Sequence, residues 1–157
     1  MMVGAVNDIA GGYTGPGDVT ISSFSSFGPT DDGRIKPDIV ANGVGLTSTY
    51  IGADNAYSSM SGTSMSSPSA AGSAALVSEY YQQQLGSLPL ATTLKALIIH
   101  TADEAGTYDG PDYRFGWGLM NTETAVATVD QAVFVESSLA DDAVDGDVYS
   151  PIPGRPL

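Results

Sequence analysis

The chain has no cysteine, a single histidine, a single tryptophan and only five basic residues. Without cysteine there is no disulfide, no thiolate zinc site and no cysteine nucleophile, and the chain suits any redox compartment. Five Lys and Arg stand against 18 Asp and Glu, a net charge of −13. Phosphate backbones and anionic membrane surfaces both ask for clustered basic residues, so nucleic acid and membrane are argued against as main partners. No apolar run reaches the roughly 18 residues of a membrane-spanning helix. There are no internal repeats.

What is present is an ordinary globular composition. At 157 residues and 42% hydrophobic, the chain is long enough for one domain with a real core. Its 19 glycines and nine prolines imply many tight turns. The start, Met1 to Asp8, has no basic region and no apolar stretch of signal-peptide length. It reads as a short buried strand that begins at once, which points to a segment of something longer. Residues 137–157 differ in kind: Asp141, Asp142, Asp145 and Asp147 precede Pro151, Pro153 and Pro156. Residues 131–157 are therefore expected to be an acidic, proline-containing linker or the start of a following module, and 1–130 the folded unit.

Within that unit, residues 18–28 alternate apolar and small polar residues loosely. Pro29 to Gly33 is a turn signal. Ile39-Val40-Ala41 is a short buried strand closed by Asn42-Gly43, and Val44 to Ile51 a weaker one. A long helix is expected from about Ser64 to Leu85, with Pro68, tolerable only near the first turn, fixing its start and Gly86 as its C-cap. A second runs from about Ala91 to Thr101, with Thr92 or Thr93 as cap and Leu94, Leu97 and Ile98 at helical spacing. A third covers Asn121 to Val129. Strands mixed with helices define an α/β class. From Ser66 to Ala75 the first helix is almost all Ser, Ala and Gly. Such small side chains let neighbouring backbones come close, whether for packing on a sheet or for bringing the helix N-terminus to a substrate.

Chemistry is concentrated at Ser61-Gly62-Thr63-Ser64-Met65-Ser66-Ser67-Pro68. Ser64 follows a glycine and opens a helix, so its hydroxyl and amide lie at the positive end of the helix dipole. A serine nucleophile needs such a place, because its acyl-transfer intermediate carries an oxyanion. On local grounds alone, the same residues also fit a plain loop with a helix cap.

The run Gly62-Thr63-Ser64-Met65-Ser66-Ser67-Pro68-Ser69-Ala70-Ala71-Gly72 resembles the nucleophile motif of the subtilisin-like serine proteases. Phe24-Ser25-Ser26-Phe27-Gly28-Pro29 and Asp32-Gly33-Arg34-Ile35-Lys36-Pro37-Asp38-Ile39-Val40-Ala41 resemble the stretch before it, and Val3-Gly4-Ala5-Val6 an earlier strand. Lys95-Ala96-Leu97-Ile98-Ile99 with Thr101-Ala102 is similar to the next family helix. Phe115-Gly116-Trp117-Gly118-Leu119-Met120-Asn121 with Ala125-Val126 resembles the closing segment of the catalytic domain. The order and spacing hold over about residues 1–130.

The resemblance implies a partial subtilisin-like layered fold: parallel-sheet strands with a central helix starting at the nucleophile. It implies a secreted serine endopeptidase acting on polypeptides through an acyl-enzyme on Ser64. The Ser64 amide would donate to the oxyanion hole, and Gly62, Thr63, Met65 and Pro68 would shape the loop. Oxidation of Met65 would disturb the site. In the family, the catalytic Asp and His and the oxyanion Asn precede the serine. None of them can be matched here, so the chain is expected to be the C-terminal half of the domain, inactive alone and partnered by the missing N-terminal half. His100 follows the serine, where relatives often carry Asn, and is expected to be structural, partly buried or capping its helix. Asn42 stands where many relatives have proline, and Ser69 where many have histidine.

No cofactor is expected. Asp103, Glu104, Asp109 and Asp112 share one Gly-rich loop of oxygen ligands suited to structural calcium, although the spacing is not that of an EF-hand, and a solvated acidic loop is the competing reading. The strong acidity suits a salty or extracellular setting. The alternative function is a truncated or degenerate half-domain without catalysis, binding peptide or another chain through an exposed sheet edge. Other serine hydrolases fit poorly. Gly62-Thr63-Ser64-Met65-Ser66 lacks the last glycine of an α/β-hydrolase elbow, and no Ser-x-x-Lys surrounds Ser64.

Overall fold

In a computed structural model that describes residues 1–134, the apolar run near the start forms β1 (Val3–Val6). It pairs in parallel with β2 (Ile39–Asn42), Val3 opposite Ile39 and Val6 opposite Asn42. A strand covered on both faces needs apolar residues throughout, and both runs supply them. Side chains alternate across the pair. Ile39 and Ala41 pack with Ala70 and Ile98 on one face. Val6 and Val40 pack with Val19, Ala105 and Phe115 on the other.

Both edges of this small sheet are covered. On the outer side of β1, Ser22 donates its amide and its hydroxyl to the Ala5 carbonyl, each at 2.9 Å, and Ser25 Oγ accepts from the Ala5 amide at 2.9 Å. Residues 18–28 thus form no strand beyond a single Val6–Ile21 bridge, with the Asn7 amide donating to the Thr20 carbonyl at 2.9 Å, and the Ser22 and Ser25 hydroxyls add to the edge pairing. On the outer side of β2, the Val40 amide donates to the Gly118 carbonyl and the Met120 amide to the Val40 carbonyl, both at 2.9 Å.

After β2 the chain makes an antiparallel hairpin, β3 (Leu46–Thr49) and β4 (Tyr57–Met60). The weak strand expected over 44–51 is realised as β3. Its partner was not legible in the sequence, because Tyr57-Ser58-Ser59-Met60 is short, largely exposed and without apolar alternation.

Three helices follow: α1 (Thr63–Leu85), α2 (Ala91–His100) and α3 (Thr122–Gln131). The buried residues of α1 are Ser66, Ala70, Val77 and Tyr81, a single stripe at helical spacing. Val77 and Tyr81 meet Leu97 of α2 and Ala125 and Val129 of α3 in the largest helix–helix contact. Burying each such aliphatic side chain stabilises the fold by roughly 1.5–3 kcal/mol. The left-handed Gly86 (φ 81°) ends α1 as expected.

Three local expectations meet the structure here. Pro68 lies near the start of α1, as expected: the helix begins at Thr63, so Pro68 is its sixth residue, just past the first turn. The ring is accommodated there, and the bond it removes is the one to the Ser64 carbonyl one turn back. α2 is not capped by Thr92 or Thr93, which lie inside it; Leu90 precedes it in extended backbone with no side-chain cap. Of the two readings of His100, partial burial fails, because the residue is exposed, and its place in the last turn of α2 agrees with the other, at the helix end. The helix expected over Asn121 to Val129 is α3, with Asn121 not inside it but as its cap, the side chain accepting from the Thr124 amide at 2.8 Å. The acidic run Asp141 to Asp147, and all but the first residues of the proposed linker, lie outside the described residues.

Candidate active site

The parallel strands end at Val6 and Asn42, and the chain turns at Gly43. The Gly43 amide donates to the Val6 carbonyl at 3.1 Å, and the Gly43 carbonyl accepts from the Gly62 amide at 2.8 Å. A Cβ on Gly43 would lie 2.7 Å from Ala5 Cβ and 2.8 Å from the Gly62 carbonyl oxygen, so only glycine fits. In this way the C-terminal edge of the sheet sets the place where α1 begins. Neighbouring side chains brace the turn. Asn42 donates to Asp8 Oδ1 at 2.9 Å and accepts from the Val44 amide at 3.0 Å, and Ser61 Oγ accepts from the Gly45 amide at 2.9 Å. The Asn42 that replaces a familiar proline therefore ties the turn with its side chain.

Gly62 is the cap residue of α1, in nearly extended backbone (φ 158°, ψ 161°), and it has no side chain with which to cap. The Met65 and Ser66 amides donate back to the Gly62 carbonyl at 2.9 and 3.3 Å. The Thr63 and Ser64 amides belong to the first turn, whose N–H groups have no acceptor within the helix, an arrangement that favours a negatively charged ligand atom at the positive helix end. Ser64 is the second residue of the helix and is exposed, whereas Ser66 is fully buried and donates from its hydroxyl to the Thr63 carbonyl at 3.0 Å. One serine is thus turned into the structure and the other out of it.

Ser64, Met65 and Pro68 line a cleft of about 430 Å³ together with Leu46, Ser48 and Met60 of the hairpin. No His, Asp or Glu lines it. His100 faces a different cleft. Gly62, Thr63, Ser64, Met65 and Pro68 are therefore brought together, while no proton acceptor among the described residues joins them.

The carboxylates of the loop after α2 are separately engaged. Asp103 accepts from Asn121 Nδ2 at 3.0 Å, Glu104 from the Ala105 and Gly110 amides, and Asp112 from the Arg114 and Phe115 amides at 2.7 Å each. Among the described residues no three His, Cys, Asp or Glu are grouped to hold a metal ion.

The charged centre lies at the opposite end of the sheet. Asp38, only 6% exposed, accepts from Lys36 Nζ and the Met2 amide at 2.5 Å each and pairs with Lys95 at 3.4 Å. Burial alone would raise its carboxyl. The hydrogen bonds from Lys36 and Met2, with the charges of Lys36 and Lys95, outweigh that and hold it below the ordinary carboxylate value. Sequence reading named Asp38, Gly43 and Ser66 within its motifs but gave none of them a role of its own. Lys36-Pro37-Asp38 carried a charge signal, but nothing in the sequence says that Gly43 meets Gly62.

The arrangement is a strand, a turn and a helix that opens on an exposed serine, in an α/β frame. The profile of the subtilase family matches residues 1–118, and the chain belongs to that family. Over 64 residues the chain is 48% identical to the C5a peptidase of Streptococcus pyogenes, an alignment covering 41% of this chain and 5% of that protein. Over 126 residues it is 32% identical to the PII-type proteinase of Lactococcus lactis subsp. cremoris, covering 71% of this chain and 6% of that protein. The chain thus spans a small part of these relatives. The CspB protease of Clostridium perfringens superposes with a TM-score of 0.69 at 24% identity, over 83% of this chain and 27% of that one. The patellamide maturation protease PatA does so with a TM-score of 0.61 at 25% identity, over 83% and 43%. The architecture is accordingly part of a subtilisin-like fold, and the family relationship is to peptidases. Among the described residues no helix is long and apolar enough to cross a membrane.

Proposed function

We propose that this chain carries the nucleophile region of a serine endopeptidase acting on polypeptides, with Ser64 as the nucleophile. The observation that supports this most is the exposed Ser64 at the start of a 23-residue helix whose first amides have no side-chain cap. In this reading Ser64 Oγ attacks the scissile carbonyl and loses its proton to a base. The Ser64 amide donates to the oxyanion that forms, and the amine leaves with a proton, giving an acyl-enzyme that water then hydrolyses. Gly62 and Thr63 fix the loop, Met65 and Pro68 wall the cleft, and no cofactor takes part. The proton acceptor and its orienting carboxylate come from the remainder of the catalytic domain, as does the further oxyanion donor. The chain alone is then nearly inactive, since an unassisted serine hydroxyl is a poor nucleophile at neutral pH. An extracellular setting accords with the acidity and the family.

The test is labelling with a fluorophosphonate probe. The 157-residue chain alone should label weakly. Combined with the preceding part of a subtilase catalytic domain it should label strongly, and Ser64→Ala should abolish the signal. Labelling that persists in Ser64→Ala overturns the assignment. The cleft without a proton acceptor favours a second reading, a non-catalytic half-domain that binds peptide. Absence of labelling in the combined protein, with peptide binding retained, would select it.

A further inference from the structure

A second cleft, of about 410 Å³, opens at the C-terminal end of α2 and is lined by His100, Glu104, Pro111 and Trp117, none of which lines the Ser64 cleft. Trp117 is placed there by backbone. It sits between Gly116 (φ 63°) and Gly118 (φ 120°), where a Cβ would run into the carbonyls of Pro37 and Asp103 respectively. Its amide donates to the Asp38 carbonyl at 2.9 Å, and its side chain is left 47% exposed. A large apolar ring held in the open on a fixed corner is a platform awaiting contact.

Glu104 is equally fixed, accepting from the Ala105 and Gly110 amides at 3.1 and 2.9 Å. It has no cationic partner among the described residues. Arg34 pairs with Asp32, Lys36 and Lys95 pair with Asp38, and Arg114 lies over the Phe27 ring. Arg155, the fifth basic residue, lies outside the described residues. The local field is negative: the Tyr13 phenol, which donates to the Glu104 carbonyl at 2.9 Å, is raised first by burial and then by the charges of Asp103, Glu104 and Asp18.

We propose that the cleft between Glu104 and Trp117 receives a Lys or Arg side chain presented by a partner polypeptide, the cation lying on the indole with Glu104 as counter-ion. Tryptophan is the best cation–π acceptor among the side chains, and a carboxylate already fixed by backbone amides needs no ordering on binding. A neutral sugar also stacks on an exposed indole, but the uncompensated carboxylate and a net charge of −13 favour a cation. The proposal is independent of any role for Ser64.

Trp117 is the only tryptophan, so its fluorescence reports on this cleft alone. The 157-residue chain is titrated with acetyl-Gly-Arg-Gly-amide and with the same peptide carrying citrulline, the uncharged isostere. The arginine peptide should give a saturable change with half-saturation at roughly tenfold lower concentration than the citrulline peptide, and added salt should weaken it. Glu104→Gln should remove the preference for charge. That change also loosens the loop, so Trp117→Ala, which leaves both Glu104 hydrogen bonds in place, is titrated by calorimetry and should weaken arginine-peptide binding by roughly tenfold. Equal responses to the two peptides would overturn the proposal. So would saturable binding of maltotriose without binding of the arginine peptide, or unchanged affinity in Trp117→Ala.

Discussion

The two ends of the β1–β2 sheet are built in opposite ways. At the C-terminal end the closest approach is backbone to backbone, Gly43 on Gly62, with the Asn42 and Ser61 side chains bracing the turn, and an exposed Ser64 follows. No charged side chain lines the cleft there. At the N-terminal end, Asp38 is sealed in by Lys36, Lys95 and the Met2 amide. Ligands of open α/β sheets gather outside the carboxyl ends of the strands, and here that end is held by close backbone approach at Gly43 and small polar side chains, with no buried ion pair. The difference suggests that one end supplies stability and the other supplies position, so mutations should separate the two.

The largest effect is expected from Asp38→Ala. It leaves Lys36 without its carboxylate and the Met2 amide without its acceptor, and removing one member of a buried pair is strongly destabilising. Allowing for partial exposure of the lysines, a loss of about 3 kcal/mol is expected, read from urea unfolding of the chain. Fluorophosphonate labelling of the combined domain, measured well below the unfolding midpoint, should change little. A large loss of labelling without loss of stability would break the division between the ends.

The same group gives a pH signature. The folded-state value of Asp38 lies below its ordinary one, so its ionised form favours the folded state. That stability is fully present above the ordinary carboxylate range and is lost as pH falls through the depressed value. Urea midpoints should decline with acid in the parent chain, and the decline should be shallower in Asp38→Ala. An equal decline in both would remove Asp38 from the account.

Gly43→Ala sharpens the comparison from the other end. The new Cβ must displace Ala5 or the Gly62 loop, and overpacking of this kind costs about 1–3 kcal/mol. Because the displaced atoms hold the start of α1, labelling of Ser64 in the combined domain should fall by more than the stability loss explains. Stability loss with full labelling would show that the turn does not position the serine.

The extent to which this was readable beforehand follows the same divide. The helices, the parallel strands and the Ser64 loop were legible because local signals carry them: Gly86 after a helical run, Asn121 before one, and the long resemblance around Ser64. The hairpin partner Tyr57–Met60 was not, since neither its length nor its exposed residues distinguish it from loop. The start of α1 was legible to within one residue, because a proline is tolerated only near a helix start. Edge pairing by Ser22 and Ser25 was hidden for another reason. Side chains standing in for a strand leave no periodic pattern, only small polar residues that resemble any turn. Contacts between residues far apart in sequence, such as Gly43 with Gly62 or Asp38 with Lys95, have no local signal at all.

The smallest effect is expected from Ser66→Ala, and its smallness is informative. Ser66 is fully buried beneath Ser64, but its hydroxyl bonds only to the Thr63 carbonyl in its own turn. Alanine leaves no donor or acceptor stranded, fits the same space and is the better helix former, so the lost bond and the gained propensity nearly cancel, within roughly 0.5 kcal/mol. If position at this end is a property of backbone contacts, labelling of Ser64 should also be nearly unchanged. A labelling rate reduced several-fold at unchanged stability would instead make the Ser66 hydroxyl a positioning group. The C-terminal end of the sheet would then rely on side chains as the N-terminal end does.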